Sequence, residues 1–236
     1  MATYTLLVPN TTLTSPNNWG SRVSIVNMVS KIIDNYGKFI KFASENSKIP
    51  VEVIASFIAV ESGGNATAGG SGSVTQGLMQ WNRNFAQNFL EAEFRLGRLT
   101  PNEKAKLATF GIKFDANGKT RPITQADQIK PELNILIGSI LLNQYADSYF
   151  DGGKKQGTWG TDADGTLRLD RIVAVYNAGA YGSIGKAGRL GNHKTAKELA
   201  DAVPEPTKSY IKKILGVNGA MDVATKEVVE KIKKLV

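Results

Sequence analysis

The chain has 236 residues, 42% of them apolar, and its 29 basic and 21 acidic residues give a net charge of +8. This length and composition allow a substantial buried core and exclude a disordered or fibrous protein. The sequence has no cysteine and one histidine, His193, which we expect in a solvated loop. Disulfides, thiol nucleophiles and cysteine-bound metals are therefore excluded, which leaves carboxylates, amides and hydroxyls as the main catalytic groups.

The N-terminal part of the sequence predicts an arm followed by helices. Residues 1–20 are rich in Thr, Asn and Pro, with one β-type run over residues 4–8, and predict an irregular or strand-like arm. We expect no secretory signal, because the arm has neither a basic start nor a sustained apolar stretch. Residues 21–47 show two helical patterns. Their core candidates are Val23, Val26, Ile32, Ile33, Phe39 and Ile40.

The rest of the chain is dominated by helical periodicity, and no apolar run is long enough to span a membrane. We expect helices over residues 50–62, 77–98, a piece after Thr100-Pro101, 132–150, 167–178, 194–202, 207–215 and 222–236. Gly63-Gly64 and Gly179 end two of these helices. A Gly/Ser-rich loop over 63–75, a turn at 115–118 and a Gly/Asp loop over 151–166 connect others. The sequence therefore predicts a mainly α-helical fold.

The helix over residues 50–62 places one carboxylate in an unusual position. Val51, Ile54, Ala55 and Ile58 form an apolar stripe, and Glu61 extends it three residues after Ile58. Partial burial and the negative end of the helix dipole both disfavour an ionised carboxylate, so we expect a raised pKa for Glu61. A general acid for glycosidic cleavage requires such a group. On these residues alone, a buried glutamate with a local hydrogen bond is an equally good interpretation.

Short motifs accompany Glu61 in a fixed order. They are Glu61-Ser62-Gly63-Gly64-Asn65, Gly77-Leu78-Met79-Gln80, Asn134-Ile135 with Gly138, Val175-Tyr176-Asn177-Ala178-Gly179, and Val203-Pro204-Glu205-Pro206-Thr207 with Tyr210. With these motifs, residues 36–216 resemble the soluble lytic transglycosylase family, which is related in fold to goose-type lysozyme. The resemblance implies a lysozyme-like helical domain with a saccharide-binding groove.

The resemblance also implies a reaction. The family cleaves the β-1,4 bond between N-acetylmuramic acid and N-acetylglucosamine in peptidoglycan and leaves a 1,6-anhydro end. Glu61 would protonate the leaving oxygen and then act as base while the sugar's own C6 hydroxyl closes the ring. Because this nucleophile is internal, no second carboxylate is needed, and the next acidic residue in the sequence is Glu91. No cofactor and no metal are expected.

Supporting roles follow from the same resemblance. Ser62 would orient Glu61, Met79 and Gln80 would line the groove, and Ser71 would contact the substrate. Near Ser71 the family's Gly-Ala is replaced by Val74-Thr75, so the local turn can differ from the family's.

Three further residues come from the C-terminal motifs. Tyr176 would hydrogen-bond near the catalytic carboxyl, Asn177 would shape the floor of the groove, and Tyr210 would be shared between groove and core. Plain core packing is the alternative for Met79 and Tyr176. On the Asn-Ile helix the family's tyrosine is replaced by Leu141. Trp81, Trp159 and Tyr181 are candidates for stacking on sugars, and each has core or loop packing as its alternative.

We predict three segments along the chain. Residues 1–35 form the arm and first helix, 36–216 the catalytic domain, and 217–236 a C-terminal amphipathic helix that docks on its own domain or lies on a membrane surface. An insertion at about 82–130 is either a surface addition or a lobe over the groove.

Two other functions stay open. A goose-type hydrolase would need Asp115 or Asp127 as its second carboxylate. A non-catalytic virion or secretion-apparatus protein could keep the fold. The expected partners are peptidoglycan glycan strands and such virion or secretion-apparatus proteins, and no nucleic acid, because the basic residues form no binding motif. We expect action at the bacterial cell wall or periplasm, by a phage protein that is virion-associated or released at lysis.

Overall fold

The computed structural model describes residues 13–147, 149–151, 154–157, 167–178 and 193–235. These residues are mainly α-helical, as predicted. Their helices are α1 (Arg22–Ser47), α2 (Val51–Ser62), α3 (Arg83–Arg95), α4 (Pro101–Thr109), α5 (Gln125–Gln128), α6 (Pro131–Asp147), α7 (Leu169–Ala178), α8 (Ala196–Ala202), α9 (Thr207–Leu215), α10 (Ala220–Lys226) and α11 (Val229–Lys233). None of the helices in these ranges has the length and apolar character needed to cross a membrane.

The chain divides into two compact units. Unit 1 contains Met1–Val29 and Leu142–Glu230, and unit 2 contains Ser30–Leu141 and Lys231–Val236. The predicted segment boundaries at residues 36 and 216 follow the family resemblance instead and stay a prediction.

The N-terminal arm is described from residue 13 onward, so the β-type run at 4–8 lies outside the described residues. Thr14 forms a parallel bridge with Val217, and the backbone N–H of Val217 donates to the carbonyl of Leu13 at 2.8 Å. A short 3-10 helix follows at Asn17–Trp19. The described part of the arm is therefore strand-like where it pairs with the chain beyond α9.

Helix α1 is a single helix of 26 residues, so the prediction of two helices was wrong. Its buried residues recur at helical spacing without a break: Ile25, Val29, Ile32, Ile33, Ile40 and Ala43. The helix continues through Gly37, where a Cβ would lie 2.9 Å from the side chain of Leu235, so the position has little room for a side chain. Val23, a predicted core residue, is 70% exposed.

Helix α2 matches its prediction. Pro50 stands at the N-cap, and Gly63 ends the helix in the left-handed conformation, with its N–H donating to the carbonyl of Ala59. Every residue from Val53 to Ala59 is buried, so α2 is a central core element of unit 2 rather than a surface helix.

The helix predicted over residues 77–98 begins six residues late. Residues 77–82 are not helical, and α3 starts at Arg83, where the side chain of Asn82 accepts from the N–H groups of Asn84 and Phe85. Leu78, Met79 and Trp81 are buried, and their apolar character gave the misleading helical pattern.

The insertion at about 82–130 carries three capped helices of unit 2. Capping boxes begin α4 at Thr100 and Glu103 and α5 at Thr124 and Asp127. The predicted turn at 115–118 is present, since the N–H of Gly118 donates to the carbonyl of Asp115.

Two corrections concern the later part of the chain. The predicted end of the long helix and start of the Gly/Asp loop instead form an antiparallel hairpin of β1 (Tyr149–Asp151) and β2 (Lys154–Gly157). The predicted C-terminal helix is divided into α10 and α11. Val223 and Val228 are both buried, although five residues place them about 140° apart on one straight helix. A break after α10 allows both to face inward.

Candidate active site

Glu61 lies in the last turn of α2 in unit 2, and its side chain is half-buried. The preceding apolar residues Ile54, Ala55 and Ile58 have at most 1% of their surface exposed. The carboxyl-bearing turn is thus anchored on a fully packed helix, at the point where that helix leaves the core.

The turn after Glu61 is held by three hydrogen bonds. The hydroxyl of Ser62 donates to the carbonyl of Ile58 at 3.1 Å and accepts from the N–H of Gly64 at 3.2 Å. The carbonyl of Gly64 accepts from the hydroxyl of Tyr36 at 3.1 Å. Ser62 therefore closes the helix end on which Glu61 stands, and that position is consistent with its predicted orienting role.

The loop that follows is held by glutamine side chains. The amide of Gln76 donates to the carbonyls of Gly69 and Gly70 at 2.9 and 2.5 Å. The amide of Gln80 donates to the carbonyls of Ala68 and Gly77 at 2.8 and 2.7 Å. Gln80 itself has a positive φ of 47°, which costs a non-glycine residue conformational energy.

These contacts bear on two predicted site residues. Gln80 was predicted to line a groove, and the structure shows its amide bound to the loop backbone. Ser71 is exposed in the same loop, and its predicted contact with the substrate stays a prediction.

Asn134 at the start of α6 connects the loop to the core. It is fully buried, and its Oδ1 accepts from the N–H of Met79 at 2.7 Å while its Nδ2 donates to the carbonyls of Gln76 and Gln128 at 3.1 and 2.8 Å. A Cβ on Gly77, whose φ is +86°, would strike the carbonyl of Gln128 and the Asn134 amide. The Gly77 motif and the Asn134 motif are therefore packed and hydrogen-bonded directly against each other.

Gln128 is a residue that the sequence analysis missed. It is fully buried, and its amide donates to the carbonyls of Val74 and Trp81 at 3.0 and 2.8 Å. In the sequence, Gln128 is only an uncharged polar residue in the short segment before α6. That is a weak indication of a buried structural role.

Met79 and Trp81, for which both a site role and core packing were open, are core residues in the structure. Met79 has 0% exposure and packs so closely on Gly138 that a Cβ there would lie 2.9 Å from the Met79 Cε and closer still to its Sδ. Trp81 is 3% exposed, and its indole N–H donates to the carbonyl of Asn134 at 3.0 Å. The burial of both side chains therefore favours the packing alternative that was left open for Met79 and for Trp81. Trp159 and Tyr181 lie outside the described residues.

The remaining predicted residues belong to unit 1. Tyr176 on α7 is half-buried and meets Tyr145 edge to face, with ring centroids 6.4 Å apart. Asn177 is exposed, and its Oδ1 accepts from the hydroxyl of Thr207 at 2.9 Å. Tyr210 on α9 is 7% exposed and contributes mainly to the core. Helices α7 and α9 thus hold Tyr176, Asn177 and Tyr210 within one unit.

The other candidate carboxylates in unit 2 are engaged. Asp127 accepts from Arg121 at 2.7 and 3.1 Å, from Lys130 at 3.1 Å and from the backbone and hydroxyl of Thr124 at 2.9 Å. Burial by itself would raise the pKa of Asp127, but these hydrogen bonds outweigh it and hold the pKa well below its usual range. Oδ1 of Asp115 accepts from two backbone N–H groups of its own turn at 2.8 Å.

Glu91, the first acidic residue after Glu61, is also engaged in structure. It is 2% exposed and accepts from Lys119 at 2.6 Å. Burial acts to raise its pKa, but the hydrogen bonds from Lys119, Thr120 and Gln87 prevail and lower it. His193 is half-buried, and its carbonyl accepts from Arg168 at 3.0 Å. Over the described ranges, no three His, Asp or Glu side chains form a group that could hold a metal ion.

Comparison with known families confirms the resemblance to the transglycosylases. The model of the transglycosylase SLT domain matches residues 38–200, which is more than half of the chain. No curated protein matches the sequence. The matched range contains Glu61, both loop motifs and α7, and the mainly helical structure agrees with the lysozyme-like fold of this domain. The domain implies peptidoglycan as substrate and lytic transglycosylase activity in general. The chain belongs to the transglycosylase SLT domain family.

Proposed function

We propose that the protein cleaves the β-1,4 bond between N-acetylmuramic acid and N-acetylglucosamine in peptidoglycan and forms a 1,6-anhydro end, with Glu61 as its single acid and base. The observation that carries the proposal is the placement of Glu61. It is half-buried in the last turn of a core helix, inside the range that matches the family.

The proposed reaction needs one proton carrier. Glu61 gives its proton to the glycosidic oxygen as the bond from C1 to that oxygen breaks, and positive charge develops at C1. The C6 hydroxyl of the same muramic acid then bonds to C1, and its proton returns to Glu61. The enzyme is regenerated without the consumption of water, because the nucleophile belongs to the substrate.

The proposal includes the expected raised pKa of Glu61, which would supply the protonated form that starts this reaction. Partial burial removes water from the carboxyl, and the carbonyl end of α2 disfavours a nearby negative charge. Glu52 is the other carboxylate of this helix and stands in its first turn.

The hydrogen bonds that the other candidate carboxylates make within the protein favour a transglycosylase over a hydrolase. A hydrolase needs a second group to activate water, and the candidates were Asp115 and Asp127. Asp127 is poorly suited to act as a base, because its lowered pKa and five hydrogen bonds leave it little tendency to take a proton. Asp115 fixes its own turn.

Roles for the other site residues complete the proposal. The roles in glycan binding that the family resemblance implies for Ser71, Tyr176 and Asn177 stay predictions, and of these residues Ser71 and Asn177 are exposed. The net charge of +8 would favour binding to an anionic cell wall, in agreement with the peptidoglycan substrate that the family implies. Delivery as a phage protein, in the virion or at lysis, stays a prediction.

Separate replacement of the two glutamates of α2 by glutamine tests the catalytic role of Glu61. Glu61→Gln should lower the rate of clearing of a cell-wall suspension by at least about 100-fold, since a general acid contributes this much or more. Glu52→Gln is the matched control and should keep the parent rate. A Glu61→Gln protein as active as the parent would refute the mechanism. A parent that clears no peptidoglycan would support the non-catalytic alternative.

A further inference from the structure

The turn after Glu61 is fastened to α1 as well as to its own helix. Ile32 and Tyr36 are four residues apart on α1 and therefore face the same side. Both reach Gly64: a Cβ on Gly64 would lie 2.9 Å from Ile32, and the Tyr36 hydroxyl donates to the Gly64 carbonyl at 3.1 Å. Gly64 is thereby held on two sides by one helix face.

Gly64 in turn fixes the last residues of α2. Its N–H donates to the hydroxyl of Ser62 at 3.2 Å, and that hydroxyl donates to the carbonyl of Ile58 in the turn that carries Glu61. The φ of Gly64 is +84°, a conformation that glycine alone adopts readily. A continuous set of hydrogen bonds thus runs from Tyr36 through Gly64 and Ser62 to the closing turn of the helix.

We infer that Tyr36 is a positioning residue for the reaction: its hydroxyl sets the turn that aims the Glu61 carboxyl at the glycosidic oxygen. The inference rests on the proposed role of Glu61. Tyr36 lies before the range matched to the family, and no motif in the sequence marks it. A glycine-rich turn has many accessible conformations when it is unrestrained, and small misplacements of a reacting group reduce rates strongly.

Tyr36→Phe tests the inference, because it removes the hydroxyl and keeps the ring and its packing. We expect kcat to fall about 10-fold while KM stays within about 2-fold, since orientation is lost and binding is not. The matched control is Ser56→Ala, which removes another hydroxyl-to-carbonyl bond of α2, 2.6 Å long, from a buried site. It should leave kcat unchanged at a temperature where circular dichroism shows both variants to be folded.

A double substitution separates positioning from general stability. Tyr36→Phe and Ser62→Ala interrupt the same set of hydrogen bonds, so their combined effect on kcat should be smaller than the product of the single effects. An unchanged kcat in Tyr36→Phe, or an equal fall in Ser56→Ala, would overturn the inference. The results for Tyr36→Phe, Ser56→Ala and the double variant are interpreted once Glu61→Gln has been shown to be inactive. If Glu61→Gln is active, the proposed function fails instead.

Discussion

Replacement of Asn134 by leucine should be one of the most damaging single changes in unit 2. The side chain is fully buried, and it makes three hydrogen bonds of 2.7, 3.1 and 2.8 Å to the backbones of Met79, Gln76 and Gln128. Leucine has a similar size, so the substitution removes the polar contacts and creates little cavity. The three backbone groups would lose their Asn134 partner inside the core.

The magnitude follows from these contacts. Each hydrogen bond contributes about 1 kcal/mol net, and a buried N–H that loses its acceptor, as at Met79, costs about 1–3 kcal/mol. The free energy of unfolding should therefore fall by about 3–5 kcal/mol. That is a large share of the roughly 5–15 kcal/mol available to a typical folded protein.

Urea unfolding, followed by circular dichroism, measures this loss. Asn46→Leu is the control, because Asn46 is half-buried and makes one bond of 2.8 Å to the carbonyl of Phe42. It should cost only about 0.5–1.5 kcal/mol. An Asn134→Leu variant that loses no more stability than Asn46→Leu would refute the assignment of Asn134 as the link between loop and core.

Two further predictions concern stability. Gly77→Ala should destabilise the protein by more than about 2 kcal/mol, because strain at positive φ adds to a collision with Asn134. Gly72→Ala, with a similar φ and open space around it, should cost only the strain, and equal losses in urea unfolding would contradict the collision. Asp127 has a lowered pKa, so its stabilisation is present above the ordinary aspartate pKa and is lost as the pH falls through the folded value. Asp127→Asn should therefore be less stable than the parent near neutral pH, and the difference should shrink with acidification; a constant difference would contradict the role of Arg121.

The sequence predicted the surroundings of Glu61 well, because local rules dominate there. An apolar stripe from Val51 to Ile58 and the glycine at 63 define α2 and its end, and the structure has both. The expected pKa of Glu61 and the roles of Tyr176 and Asn177 stay predictions.

The loop over residues 68–82 could not be predicted, because side chains distant in sequence determine it. Leu78, Met79 and Trp81 have spacing that suits a helix. Buried amides of Asn134 and Gln128, more than 40 residues later, bind the backbone of this segment instead. Packing from a distant part of the chain also reaches α1, where the side chain of Leu235 leaves little room for a side chain at position 37.

The products formed in water labelled with heavy oxygen test the central claim most directly. Peptidoglycan digested by the parent protein should give muropeptides one water lighter than hydrolysed ends and without label, because the C6 hydroxyl replaces water as nucleophile. Glu61→Gln should give neither product. New reducing ends in place of anhydro ends would contradict the account, since they would require a water molecule, activated by a second group, to attack C1.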